Sequence, residues 1–138
     1  MSDRILKGTA ENGELRFYAA DCTDTVKKAV KIHKLSIMNS YVLGKFICAG
    51  LLMGAEMKDD KNVLTLSTES GKGSAKIIVT VNGKSEIKAY MSGSDTETDK
   101  GKIAGADTVD SAVLGKGFIN VIKDIGMKTP YTGKVEMK

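Results

Sequence analysis

The 138 residues include no tryptophan, one proline, one histidine and two cysteines. Each shortage removes a class of function. His33, Cys22 and Cys48 are the whole supply of imidazole and thiol ligands, and neither cysteine belongs to a C-x-x-C pair. No zinc site of ordinary spacing can be assembled from them. No Ser-His-Asp or Cys-His arrangement for nucleophilic catalysis can be argued either. The lysines are scattered and never form a long run. Residues Met1 to Ala10 are polar and hold no apolar core region, so no signal peptide is visible. The longest apolar stretch, Tyr41 to Ala55, is interrupted by Lys45 and reads as too short to span a bilayer. No linker-like segment and no internal repeat are found. The expected location is cytoplasmic, with no membrane partner.

What is present suits one globular domain: 41% hydrophobic and 28% charged residues. A chain of 14.7 kDa buries roughly two-thirds of its unfolded surface, enough for a core without staples. The seven methionines are flexible apolar fillers and are expected in that core. The formal charge of +4 and pI near 9.0 are mildly basic. They permit nucleic acid as a partner without requiring it.

The stretch "RILKGTAENGELRFYAA" reads as a hairpin with arms Ile5 to Ala10 and Glu14 to Ala20. Glu11-Asn12-Gly13 turns it, because Asn and Gly tolerate positive φ. Thr23 or Asp24 is expected to cap a helix over Thr25 to Lys34. Val26, Ala29, Val30 and His33 share one face of it. His33, near its C-terminus, reads as a structural histidine. Ser36 opens a longer helix reaching about Lys58. Ile37, Tyr41, Gly44, Cys48, Leu51 and Ala55 form one stripe at helical period. Val42, Phe46, Ala49 and Met53 fill the neighbouring face. A helix apolar on most sides is buried on most sides. Gly44, Gly50 and Gly54 would each cost about 1 kcal/mol against Ala in a helix interior, so their use is close approach of another backbone.

"NVLTLSTES", "AKIIVTV" and "SEIKAYMSG" read as three antiparallel strands, turned at Gly71 to Ser74 and at Asn82-Gly83. Ile77, Val79 and Val81 share one face, and Ile87, Ala89 and Met91 another. A polar loop follows, with one short turn near Val109 to Leu114. "FINVIKDIG" and "YTGKVEMK" close the chain as strands. Strands grouped with strands and helices with helices argue α+β: antiparallel sheets packed with two helices, the longer helix central and buried.

The candidate chemistry is thin. Gly71-Lys72-Gly73 and Gly115-Lys116-Gly117 lack the spacing of a phosphate-binding loop and lead into strands, so they read as turns. Asp59 with Asp60, and Asp95 with Glu97, lie in expected loops without a His or Cys neighbour and read as solvated turn residues. Cys48 reads as a small buried hydrophobe. Cys22 stands just before a helix, where a thiolate is favoured. The two cysteines sit in unrelated settings. Nothing here points to an enzyme.

Four stretches carry a resemblance. "VLGKFICAGLLMGAEMKDDKNVLTL" is similar to the long helix and following strand of the redox-regulated holdase chaperones, the 33 kDa chaperonin or heat-shock protein 33 family. "SEIKAYMSG" resembles that family's G-E-V-R-G-Y-V strand. "GKGFINVIKDIGMKTPYTGKVEM" is similar to its G-x-G, V-x-K-D-L-G and S-G-x-V-E series. "LKGTAENGELRFYAADCTDTV" fits its opening hairpin and helix. The family's G-P-x-G turn is replaced by Gly71-Lys72-Gly73-Ser74. The resemblance implies an ATP-independent chaperone that holds unfolding or oxidatively damaged clients. It implies zinc bound by C-x-C and C-x-x-C cysteines that lie beyond residue 138, which neither Cys22 nor Cys48 matches. Residues 1–138 are therefore expected to be the amino-terminal part of the core domain, without linker or zinc module. No catalytic, cofactor-binding or metal-binding residue is expected in this chain, and no motif singles out client-binding residues. Expected partners are unfolded proteins, with a homodimer as a further possibility. The alternative reading is a basic module binding nucleic acid or another polyanion.

Overall fold

Asn12 and Gly13, at φ 56° and 87°, reverse the chain between β1 (Arg4–Ala10) and β2 (Leu15–Asp21). The computed structural model describes residues 3–71, 74–92 and 113–137. After the hairpin come α1 (Thr23–His33) and α2 (Ile37–Gly54), then β3 (Val63–Ser70), β4 (Lys76–Asn82), β5 (Ile87–Ser92), β6 (Gly117–Asp124) and β7 (Tyr131–Met137). The strands form a two-stranded sheet, β1-β2, and a five-stranded sheet in the order β5-β4-β3-β6-β7. Every pairing is antiparallel. The expected α+β architecture is observed, with α2 packed against the larger sheet.

The cap of α1 differs from expectation. Thr23 is already helical and Cys22 is the N-cap, without a side-chain cap bond of its own. The acceptor comes from outside the helix. The Asp3 carboxylate accepts from Asp24 N at 2.9 Å, from Thr25 N at 2.7 Å and from the Thr25 hydroxyl. Asp21 Oδ1 accepts from Thr23 N and from Thr23 Oγ1, the latter at 2.8 Å. Capping rules look a few residues along the chain. They cannot see a carboxylate that a hairpin returns from the start of β1. Ser36 caps α2 as expected, accepting from Asn39 N at 3.2 Å.

α2 stops at Gly54 and does not reach Lys58. Its buried face is Asn39, Val42, Leu43, Phe46, Ile47, Gly50, Leu51 and Gly54. The stripe read from sequence lies partly elsewhere: Ile37 is 82% exposed and Tyr41 52%. A helix apolar all round carries no polar side to say which face turns inward. By length and mean hydropathy, 1.4 over 18 residues, α2 meets the demands of a bilayer span, contrary to the sequence reading. What marks it as a core helix is its packed face.

That face meets Leu64, Leu66, Ile77, Val79, Val81 and Met91, all buried. The two apolar sets of β4 and β5 face the same side, because Ile77 pairs with Met91, Val79 with Ala89 and Val81 with Ile87. Residues directly opposite in an antiparallel ladder share a face, which corrects the separate faces expected. Thr68, buried within this layer, accepts from Ile77 N at 3.0 Å, so its hydroxyl is satisfied. Met57 and Met91 are buried, whereas Met53 and Met127 are exposed, so methionine is only in part core filler. Asp95, Glu97 and most of the expected loop lie outside the described residues. Val113 and Leu114, at its end, are buried, and Val113 O accepts from Ala75 N at 3.1 Å.

Candidate functional site

Cys22 and Cys48 are brought together. Their sulfurs are bonded, with Cα atoms 6.2 Å apart, inside the range a disulfide spans. The unrelated settings read from sequence are thus one setting. The link is helix packing. A Cβ on Gly44 would meet Val26 Cγ1 at 3.4 Å, so Val26 of α1 faces Gly44 of α2. Cys22 lies one turn before Val26, and Cys48 one turn after Gly44. Antiparallel helices in that register bring the two cysteines opposite each other. The signal in the sequence was the matching four-residue spacing, Cys22 to Val26 and Gly44 to Cys48. Cys22 is 5% exposed, and Cys48 is half-buried. Both line an open groove with Val26, Lys27 and Gly44.

Among the described residues, large apolar side chains stay exposed on the hairpin and on both sides of the large sheet. In the hairpin, Leu6 pairs with Ala19, Gly8 with Phe17 and Ala10 with Leu15, so these six share one face. Leu6, Leu15 and Phe17 are 60%, 58% and 48% exposed. The Phe17 ring lies over Gly8, where an added Cβ would strike it. In the large sheet, α2 covers β3, β4 and β5. The same side of β6 and β7 continues with Ile119, Val121, Tyr131 and Val135. Tyr131 and Val135 are exposed there. On the opposite side, Glu69 joins Lys134 at 2.9 Å and Asn120 Nδ2 at 3.3 Å, and Lys134 also stands over the Phe118 ring. The hydrogen bond from Lys134, then that from Asn120, holds the Glu69 carboxyl below its usual range.

The remaining candidates are structural. His33 Nε2 lies 2.9 Å from Ala89 O, and its ring meets Tyr90 edge-on, so it ties α1 to β5. Asp59 Oδ1 accepts from Lys61 N at 2.9 Å. It is a solvated turn residue, as Asp60 is, in an open groove with Lys58, Lys61 and Lys84. Gly115-Lys116-Gly117 leads into β6, while Lys72 and Gly73 lie outside the described residues. Among the described residues no three His, Cys, Asp or Glu side chains converge. With both thiols joined to each other, this chain's residues do not fit the zinc that the resemblance implies for longer proteins.

The model of the family described as Hsp33 protein matches residues 3–138. The chain belongs to the Hsp33 family. A 33 kDa chaperonin of Clostridium novyi is 33% identical over 135 residues, 98% of this chain and 46% of the relative. One from Clostridium acetobutylicum is 34% identical, over 98% of this chain and 45% of the relative. The crystal structure of a heat shock protein 33 homolog from Thermotoga maritima superposes with a TM-score of 0.80 at 23% identity, over 97% of this chain and 45% of that one. That likeness confirms the fold. The chain spans about half the length of the Hsp33 relatives it matches.

Proposed function

We propose that this chain is the amino-terminal part of the core domain of a redox-regulated holdase. In this reading it is a non-enzymatic, ATP-independent, cytoplasmic chaperone that binds unfolding or oxidatively damaged proteins and prevents their aggregation. Family membership supports the chaperone reading, as do relatives that carry the name chaperonin. The observation that carries it to this chain is the apolar hairpin face of Leu6, Leu15 and Phe17, open to solvent. Such a face recruits apolar partners. It gives unfolded chains a contact that requires no sequence motif. Zinc and the redox switch belong, in this reading, to the part of longer relatives that lies beyond residue 138.

The polyanion alternative needs one face of unopposed positive charge. Lys58, Lys61 and Lys84 share their groove with Asp59 and Asp60, and Lys134 is paired with Glu69, so these four lysines offer no such face. The deciding measurement is light scattering from a thermally unfolding test enzyme, with and without the chain. The chain should suppress scattering at both low and high salt, and Leu15→Lys with Phe17→Lys should remove most of that effect. Suppression that collapses steeply with salt would favour the polyanion reading. No suppression under either reducing or oxidising conditions would end the chaperone reading for this chain.

A further inference from the structure

We propose that Cys22 and Cys48 form a thiol–disulfide exchange site for small disulfides of the glutathione class. The pair is asymmetric. Both cysteines border the open groove beside the exposed Lys27, but Cys22, at the N-cap of α1, is buried, whereas Cys48 is half-buried and the more accessible of the two. A reagent in that groove meets Cys48. Cys22, bonded to it and nearly closed to solvent, is within reach of the Cys48 sulfur but not of a bulky reagent. The geometry therefore divides the roles into an entry thiol, Cys48, and a resolving thiol, Cys22.

The exchange balances without a further oxidant. In the reduced chain the Cys48 thiolate attacks one sulfur of glutathione disulfide. The reagent's S–S bond breaks, one glutathione leaves as a thiol, and Cys48 carries the other as a mixed disulfide. The Cys22 thiolate then attacks the Cys48 sulfur and the second glutathione leaves as a thiol. Two protein thiols are oxidised, and one glutathione disulfide is reduced to two glutathiones. Excess glutathione drives the same steps backwards. The product ties the β2–α1 junction to the middle of α2, across 26 residues of chain. The exchange is independent of the chaperone reading, and the mass of the alkylated chain reports it separately from client binding.

The test equilibrates the folded 138-residue chain with graded ratios of reduced to oxidised glutathione, quenches it with an alkylating agent and weighs it by mass spectrometry. The wild type should pass from two alkylated thiols to one internal disulfide within the accessible ratios. Cys22→Ser should accumulate a single glutathione on Cys48, while Cys48→Ser should leave Cys22 mostly unmodified. A disulfide that survives excess reduced glutathione until the chain is unfolded in urea would overturn the proposal, since the pair would be an inert staple. Thiols that never pair in excess oxidised glutathione would also overturn it. Faster glutathione addition to Cys22 than to Cys48 would overturn the division of roles. The wild-type titration needs no variant, so a substitution that fails to fold leaves the proposal testable.

Discussion

Gly50 of α2 lies directly over Val79 of β4, so close that a Cβ built on the glycine would stand 2.9 Å from Val79 Cγ1. A Cβ on Gly54 would meet Val81 Cγ2 at the same 2.9 Å. The close approach is made by valine side chains and not by another backbone as expected, and these glycines set the distance between helix and sheet. Gly50→Leu should lower the urea midpoint, with a loss of about 1–3 kcal/mol from overpacking. An unchanged midpoint would show that this part of α2 is not packed on the sheet.

Cys48→Ala opens the loop that the disulfide closes. For the 26-residue separation, loop-closure entropy predicts a loss of about 3–4 kcal/mol under oxidising conditions. In a strong reductant the variant and the wild type should unfold almost together. A gap of equal size in both conditions would mean that packing of the sulfur, and not the bond, carries the effect.

Asp3 caps α1 from outside the helix. Its pKa is held below the ordinary 3.8, first by the hydrogen bond from the Thr25 hydroxyl and then by the amides of Asp24 and Thr25. A group whose folded pKa is depressed stabilises the fold above its unfolded value, and that contribution is lost as pH falls through the folded value. Asp3→Asn should therefore melt below the wild type at neutral pH. The gap should close as pH drops from 3.8 through the depressed folded value. Equal melting temperatures at neutral pH would show that this cap adds nothing.

The chain should purify without stoichiometric zinc. Cys22 and Cys48 are joined to each other, and the His33 ring is held on Ala89 O. Elemental analysis finding one tightly held zinc per chain would contradict this assignment.

Among the described residues β7 pairs only with β6 and stands at an edge of the five-stranded sheet. An edge ladder is a template for another strand, so two copies should associate through β7 as concentration rises. Val135→Lys should weaken that association. Sedimentation showing only monomer at high concentration would rule out this homodimer.

Local chemistry made much of the fold readable. Asn12-Gly13 specifies a turn because both residues tolerate positive φ, and Ser36 specifies a helix start because its hydroxyl accepts an orphan amide. Strands β3 and β4 follow from their β-branched runs and β5 from its alternation of Ile87, Ala89 and Met91 with polar or aromatic residues, and the family followed from ordered motifs along the chain. All of these act over a few residues, so they survive in the sequence alone. The choice of buried face on α2 does not, because an apolar surround offers no polar side to exclude. Neither does the cap of α1, which comes from Asp3 across the hairpin. The meeting of Cys22 with Cys48 depends on the register between two antiparallel helices. Tertiary packing decided these features, because each joins residues whose only relation is the path of the folded chain.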